Sequence, residues 1–249
     1  MIRAIWTTLF FDPLQNALAF LTSVVPGGDI GIAVILLTVI VKLILAPLSR
    51  KSIKSQAQLK ILDPEIKKIK EEYKDKEEQA RKTFELYKKH KVNPFSGCLL
   101  ILIQLPIILA LYFVFLKGLD FTGGNFYSFI SVPETFNVNF LGLIDMQSRS
   151  LLLGLLAGVT QFFQIKLSAP KIASNSNQQG SFMDKVTKNM SVQMKYFMPI
   201  FVAVIAYQIS AAVALYWVTS NSFAIVQEIL IRRKMKSTSD KNTLALKEA

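Results

Sequence analysis

The chain has 249 residues, 51% of them hydrophobic and 18% charged, below the roughly 25% charged of soluble domains. Its net charge is +12, and that charge is segregated from apolar runs as long as the ~20 residues a helix needs to cross about 30 Å of hydrocarbon. A lone cysteine, Cys98, excludes an intramolecular disulfide, and a lone histidine, His90, leaves no thiol and imidazole set for a metal; no metal or cofactor is expected.

Residues 1–27 carry Ile5, Trp6, Leu9, Phe10, Leu14, Leu18 and Leu21 at helical spacing, which suits an extracytoplasmic amphipathic segment at the interface, with Asp12-Pro13 as a helix start. No small-residue cleavage site follows, so the segment reads as mature. The first span, 28–49, follows the turn Pro26-Gly27-Gly28 and ends before Arg50, Lys51 and Lys54, which places its C-terminal end in the cytoplasm.

Residues 50–93 are dense in Lys and Glu. Leu62, Ile66, Ile69 and Tyr73 form one apolar stripe, and Ala80, Phe84 and Tyr87 another, the pattern of a helical hairpin. Asp75 with Glu78 marks the second arm's start as a capping box, and Asp63-Pro64 predicts a kink or restart inside the first. Such a hairpin buries little and should be mobile.

The second span, 94–117, opens on Asn93-Pro94 and should bend at Pro106. The loop 118–149 has no Lys or Arg from Gly118 to Gln147, although it holds Gly123-Gly124 and several aromatics; it is read as extracytoplasmic. A third span, 150–167, leads into a cytoplasmic loop, 168–193, whose Ser/Asn/Gln-rich part at 173–181 reads as flexible. The apolar stretch that follows divides near 208–211 into spans 194–209 and 210–231, and the basic tail 232–249 is left disordered in the cytoplasm. The fold class is therefore an all-α integral membrane protein with five transmembrane helices, N-terminus out and C-terminus in.

Lys42 lies inside the first span, where a cation costs roughly 2.5 to 3.5 kcal/mol at the centre of a helix. Two readings stand. It snorkels to the inner interface, or it faces a wet cavity shared with Gln104, Gln161, Gln164, Ser220 and Asn221. No carboxylate lies at depth beyond Glu228, near the inner end of the last span, so a proton relay has little support. An uncompensated cation suits attraction of acidic client segments. The chain has no phosphate-binding glycine loop and no Ser, His and Asp set within its spans, so no catalytic residues are assigned and no enzyme is expected. A small transporter or channel is the competing class, but no symmetric repeat is found. A structural scaffold is the third.

The stretches Val41-Lys42-Leu43-Ile44-Leu45-Ala46-Pro47-Leu48, Asp63-Pro64-Glu65-Ile66, Lys91-Val92-Asn93-Pro94-Phe95-Ser96-Gly97-Cys98 and Gln104-Leu105-Pro106-Ile107 resemble the YidC/Oxa/Alb membrane protein insertases. So do Phe162-Phe163-Gln164-Ile165-Lys166, Met198-Pro199 and Leu215-Tyr216-Trp217-Val218-Thr219-Ser220-Asn221. The resemblance covers nearly the whole chain and is to a minimal bacterial form, without a large periplasmic domain. It implies a hydrophilic groove open to cytoplasm and lipid, closed outside, lined by Lys42, Gln104, Gln164, Trp217, Ser220 and Asn221. The family's groove cation is usually arginine; lysine keeps the charge without the bidentate fork. The implied activity is insertion and folding of nascent membrane proteins in the bacterial inner membrane without nucleotide hydrolysis. Partners would be those clients and the lipid bilayer, together with the Sec translocon, the ribosome and the signal recognition particle receptor. Arg232, Arg233, Lys234 and Lys236 would meet ribosome or targeting machinery, although retention by the positive-inside rule explains them equally.

Overall fold

The computed structural model describes residues 2–93, 96–116, 126–133, 135–168 and 182–245. The expected helix start at Pro94, the Gly123-Gly124 pair and the 173–181 loop lie outside those residues, as do the side chains of Cys98 and Lys236. The chain is mostly helical: α1 (Ile2–Trp6), a π-helical turn (Thr7–Phe11), α2 (Asp12–Val24), α3 (Ile30–Glu72), α4 (Lys76–Lys89), α5 (Ser96–Leu116), α6 (Leu151–Ser168), α7 (Phe182–Gln208) and α8 (Ala211–Ala245), with a hairpin of β1 (Asn139–Phe140) and β2 (Ile144–Asp145) before α6.

The first three elements run as one rod, because Trp6, Phe11 and Asp12 all keep helical dihedrals. Asp12-Pro13 opens the α-helix α2, as expected, but it does not open the rod, which is already helical before it. The Asp12 amide donates to the Thr7 carbonyl five residues back, and this wider turn gives room to the Pro13 ring, which would otherwise press on the carbonyl four residues before it. Phe11, Leu14, Leu18 and Ala19 are buried on one face of the rod, while Leu9, Phe20 and Val24 are exposed on the other. Asn16 donates to the Asp12 carbonyl at 2.8 Å and accepts from the Tyr127 amide at 2.8 Å, tying the rod to the segment after α5.

Asp29 caps α3 through one carboxylate oxygen, which accepts from Ile32 N at 3.1 Å, while the other accepts from Leu141 N in the β1–β2 turn at 2.7 Å. The helix then continues through Pro47 and Pro64 to Glu72. No restart occurs at Pro64, because a proline inside a helix removes one N–H donor and the packing of this arm on α4 holds the chain across the gap. Leu62, Leu86 and Val92 form the small core of the α3–α4 hairpin, with Leu59, Ile66, Ile69 and Tyr87 around it. Phe84, part of the expected stripe, is half exposed.

The hairpin's turns are built from side chains and caps. Asp75 accepts from Glu78 N at 3.1 Å, and Gln79 Nε2 donates to the carbonyls of Tyr73 at 2.6 Å and Lys70 at 3.2 Å. At the other end of α4, Lys91 N bonds Lys88 O and Val92 N bonds Tyr87 O, a Schellman motif with Lys91 at φ +54 in the position that favours glycine. Ser55 closes the hairpin onto α3 by donating to Asn93 O at 3.0 Å.

α6 and α7 meet through small residues. A β-carbon at Gly158 would lie 2.7 Å from Ala203 Cβ, so glycine is what permits this separation. α8 starts where the segment after β2 supplies acceptors: Ala211 N donates to Ser148 O at 2.7 Å and Ala212 N to Met146 O at 3.1 Å, satisfying amides that a helix start leaves orphaned. α8 does not end with its apolar stretch but continues to Ala245. The tail expected to be disordered is thus helical through that residue, in keeping with a sequence free of Gly and Pro from Arg232 onward.

One apolar core joins these helices, including Leu18, Ala33, Val34, Leu37, Ala110, Leu111, Val114, Ala157, Ala206, Ala212 and Val213. Outside it, large apolar residues face away from the protein, among them Ile44, Leu102, Leu155 and Ile200, as lipid-facing residues do. α3 and α6 are long and apolar enough to cross a membrane, and Leu102–Phe115 and Lys195–Gln208 are shorter apolar stretches.

Candidate substrate groove

Three helices converge at Lys42. Twelve residues separate it from Ile30, about 18 Å along the axis of α3, so its ammonium starts deep in the apolar stretch. Lys42 Nζ donates to Gln104 Oε1 on α5 at 3.2 Å, and Gln104 Nε2 donates to the Tyr216 hydroxyl on α8. Ser220, one turn along α8, hydrogen-bonds the same phenol. Tyr216 and Ser220 are buried and Lys42 half-buried. A cation, an amide and two hydroxyls thus form one relay across α3, α5 and α8, and among the described residues no carboxylate pairs with Lys42.

The remaining groove residues of the sequence reading divide differently. Asn221 turns toward α6, where its Nδ2 donates to Thr160 Oγ1 at 3.3 Å. Trp217 packs half-buried against the apolar core. Gln164 belongs to a second network farther along α8: its Nε2 donates to Ser168 Oγ at 3.3 Å, and Ser168 donates to Glu228. Glu228 is 3% exposed and receives Arg232 Nε at 2.9 Å and Nη2 at 2.6 Å, while Nη2 also donates to Leu167 O at 3.0 Å.

Arg232 is therefore committed to locking α8 onto the end of α6. Arg233 and Lys234 are exposed. The structure brings Lys42, Gln104 and Ser220 together and leaves Gln164 with the Glu228 pair. Tyr216, quoted for the resemblance but not counted among the expected groove residues, joins Gln104 to Ser220. Its signal was present: it precedes Ser220 by one helical turn and so shares its face.

The family model described as 60Kd inner membrane protein matches residues 20–239. The chain belongs to this family. Its relatives include the membrane protein insertases YidC of Fusobacterium nucleatum subsp. nucleatum, 36% identical over 228 residues (90% of this chain and 97% of that protein), and of Clostridium tetani, 35% identical over 227 residues (90% and 92%). The YidC of Francisella philomiragia is 33% identical over 216 residues, covering 86% of this chain but 34% of that longer protein.

A crystal structure of an active YidC insertase with its first transmembrane domain resolved matches with a TM-score of 0.54 at 23% identity, covering 89% of this chain and 45% of the other, a likeness of fold. Membrane protein insertion is the function that goes with membership of the 60Kd inner membrane protein family.

Proposed function

We propose that this chain inserts client proteins by offering the Lys42 ammonium, within the apolar part of the protein, to the acidic or polar segment that a client must carry across. The observation that carries the proposal is the relay itself. Gln104 and Tyr216 are neutral, so they orient the ammonium without cancelling its charge, and the attraction for a client carboxylate persists. A groove of this kind shortens the polar segment's path through hydrocarbon. Burial of the client's apolar residues in lipid, at about 25 cal/mol per Å², supplies the driving force.

The proposed arrangement has five spans with the N-terminus outside and the C-terminus inside. Support comes from the cations Arg50, Lys51 and Lys54 just beyond the apolar part of α3, and from the absence of Lys and Arg between Gly118 and Gln147. The groove would open to the cytoplasm, and the α3–α4 hairpin would stand at its mouth. Arg233 and Lys234, exposed on α8, with Lys236 beyond them, are the basic residues proposed to meet the ribosome or signal recognition particle receptor; a Sec translocon is a further proposed partner. A photo-crosslinker replacing Trp217 tests the route. Crosslinks to the acidic outer tail of an arrested single-span client are expected, and crosslinks only to lipid would overturn it.

A further inference from the structure

We propose that the β1–β2 turn dips into the outer leaflet and holds the protein there through Leu141 and Leu143. The turn is closed by Leu143 N donating to Phe140 O at 2.9 Å, and its central residues both have positive φ, Leu141 at +52 and Gly142 at +73. Those are the signs of a type I′ turn, where asparagine, aspartate or glycine is preferred at the first central position and a leucine β-carbon is strained. In water, asparagine would relieve the strain and solvate the tip. This chain instead carries leucine there, 63% exposed, followed by Leu143, 84% exposed. Both features find one reason if the tip meets hydrocarbon.

The turn's position supports that occupant. Leu141 N is held by the Asp29 carboxylate, the cap of α3, and the Phe140 ring lies over Gly31. The tip is thereby fixed beside the first residues of the apolar run that opens at Ile30. The polar flank, Asp145 with Ser148 and Gln147 N, lies on the far strand and its continuation, so one short hairpin presents two leucines at its tip and a hydrogen-bonded carboxylate behind. Such a wedge would set the depth of α3, and with it the depth of Lys42. The inference rests on the reading that α3 and α6 cross the membrane.

The test places an environment-sensitive fluorophore at single cysteines, in a Cys98→Ser background of the full chain in liposomes, at Leu143, at Leu155 on the outward face of α6, and at Glu77 on α4. Lipids carrying a shallow spin label should quench Leu143 and Leu155 several-fold more than aqueous iodide does, with Glu77 showing the reverse. Quenching of Leu143 by iodide while Leu155 responds to lipid would overturn this inference alone. Failure of Leu155 would overturn the spanning reading and this inference with it. A Leu143 label shielded from both quenchers would mean a protein partner covers the tip, and the lipid assignment would fall. The variant Leu141→Asn, which suits the turn, should keep the fold and weaken lipid quenching at Leu143; unchanged quenching would remove Leu141 from the wedge.

Discussion

The Lys42 ammonium sits 3.2 Å from the side-chain oxygen of Gln104, an amide that cannot neutralise it. Gln104→Glu would place an isosteric carboxylate at the same point and cancel the charge. Insertion of clients with acidic outer tails is expected to fall steeply in this variant, with thermal stability in detergent equal to or above that of the native chain. Undiminished insertion would show that an uncompensated charge is not required.

At the other network, Arg232 grips Glu228 through two nitrogens while the carboxylate is almost fully buried. Arg232→Ala strands a buried charge, a change that costs about 3 kcal/mol, the low end of the usual range because Arg232 itself is partly exposed. The double variant Arg232→Met, Glu228→Leu should recover most of the loss. Thermal unfolding of both proteins in the same detergent checks this; a double variant as unstable as the single one would contradict it.

Lys91 occupies the left-handed position that ends α4, where a β-carbon costs roughly 1 to 2 kcal/mol. Lys91→Gly is expected to stabilise the α3–α4 hairpin by about 1 kcal/mol, read as slower hydrogen exchange at Val92 and Leu86. Faster exchange would mean that the Schellman motif is not what holds this end.

Burial in the hairpin pushes the Asp63 carboxyl above its ordinary range, only partly opposed by Lys67 and Lys60, and burial followed by the charge of Asp63 pushes the Tyr87 phenol up as well. A carboxyl whose folded pKa is raised favours the closed hairpin while protonated. Closure should therefore weaken as pH rises from the unfolded value near 4 through the raised folded value. Asp63→Asn should tighten α4 on α3 at neutral pH and remove this dependence. Hydrogen exchange or a fluorophore pair across the hairpin would show it, and an equal pH response in the variant would assign the effect elsewhere.

Much of the helical architecture was legible because its signals are local. Apolar runs of membrane-spanning length, the Asp75 cap and the stripe through Leu62, Ile66 and Ile69 depend on near neighbours in the chain. Asp12-Pro13 opens α2 as expected, but on a π-helical turn that continues the helix before it, and Pro64 brings no restart, because packing on α4 carries α3 through. In the site, Lys42 and Gln104 stood out as polar residues in apolar runs. Tyr216 did not, since an amphipathic ring among Trp217 and Leu215 reads as core until α5 is seen beside it. Arg232 was read by charge alone, as a partner contact or as retention by the positive-inside rule, and its bonds to Glu228 one turn away and to Leu167 on another helix could not be seen in the sequence.

The most direct measurement is insertion of a single-span client with an acidic outer tail into liposomes that contain the native chain, Lys42→Arg or Lys42→Leu, with each variant's folding verified. The groove charge requires Arg to insert near the native level and Leu to fail. Native-level insertion by Leu would mean that Lys42 only snorkels to the interface, and the charged groove would have to be given up.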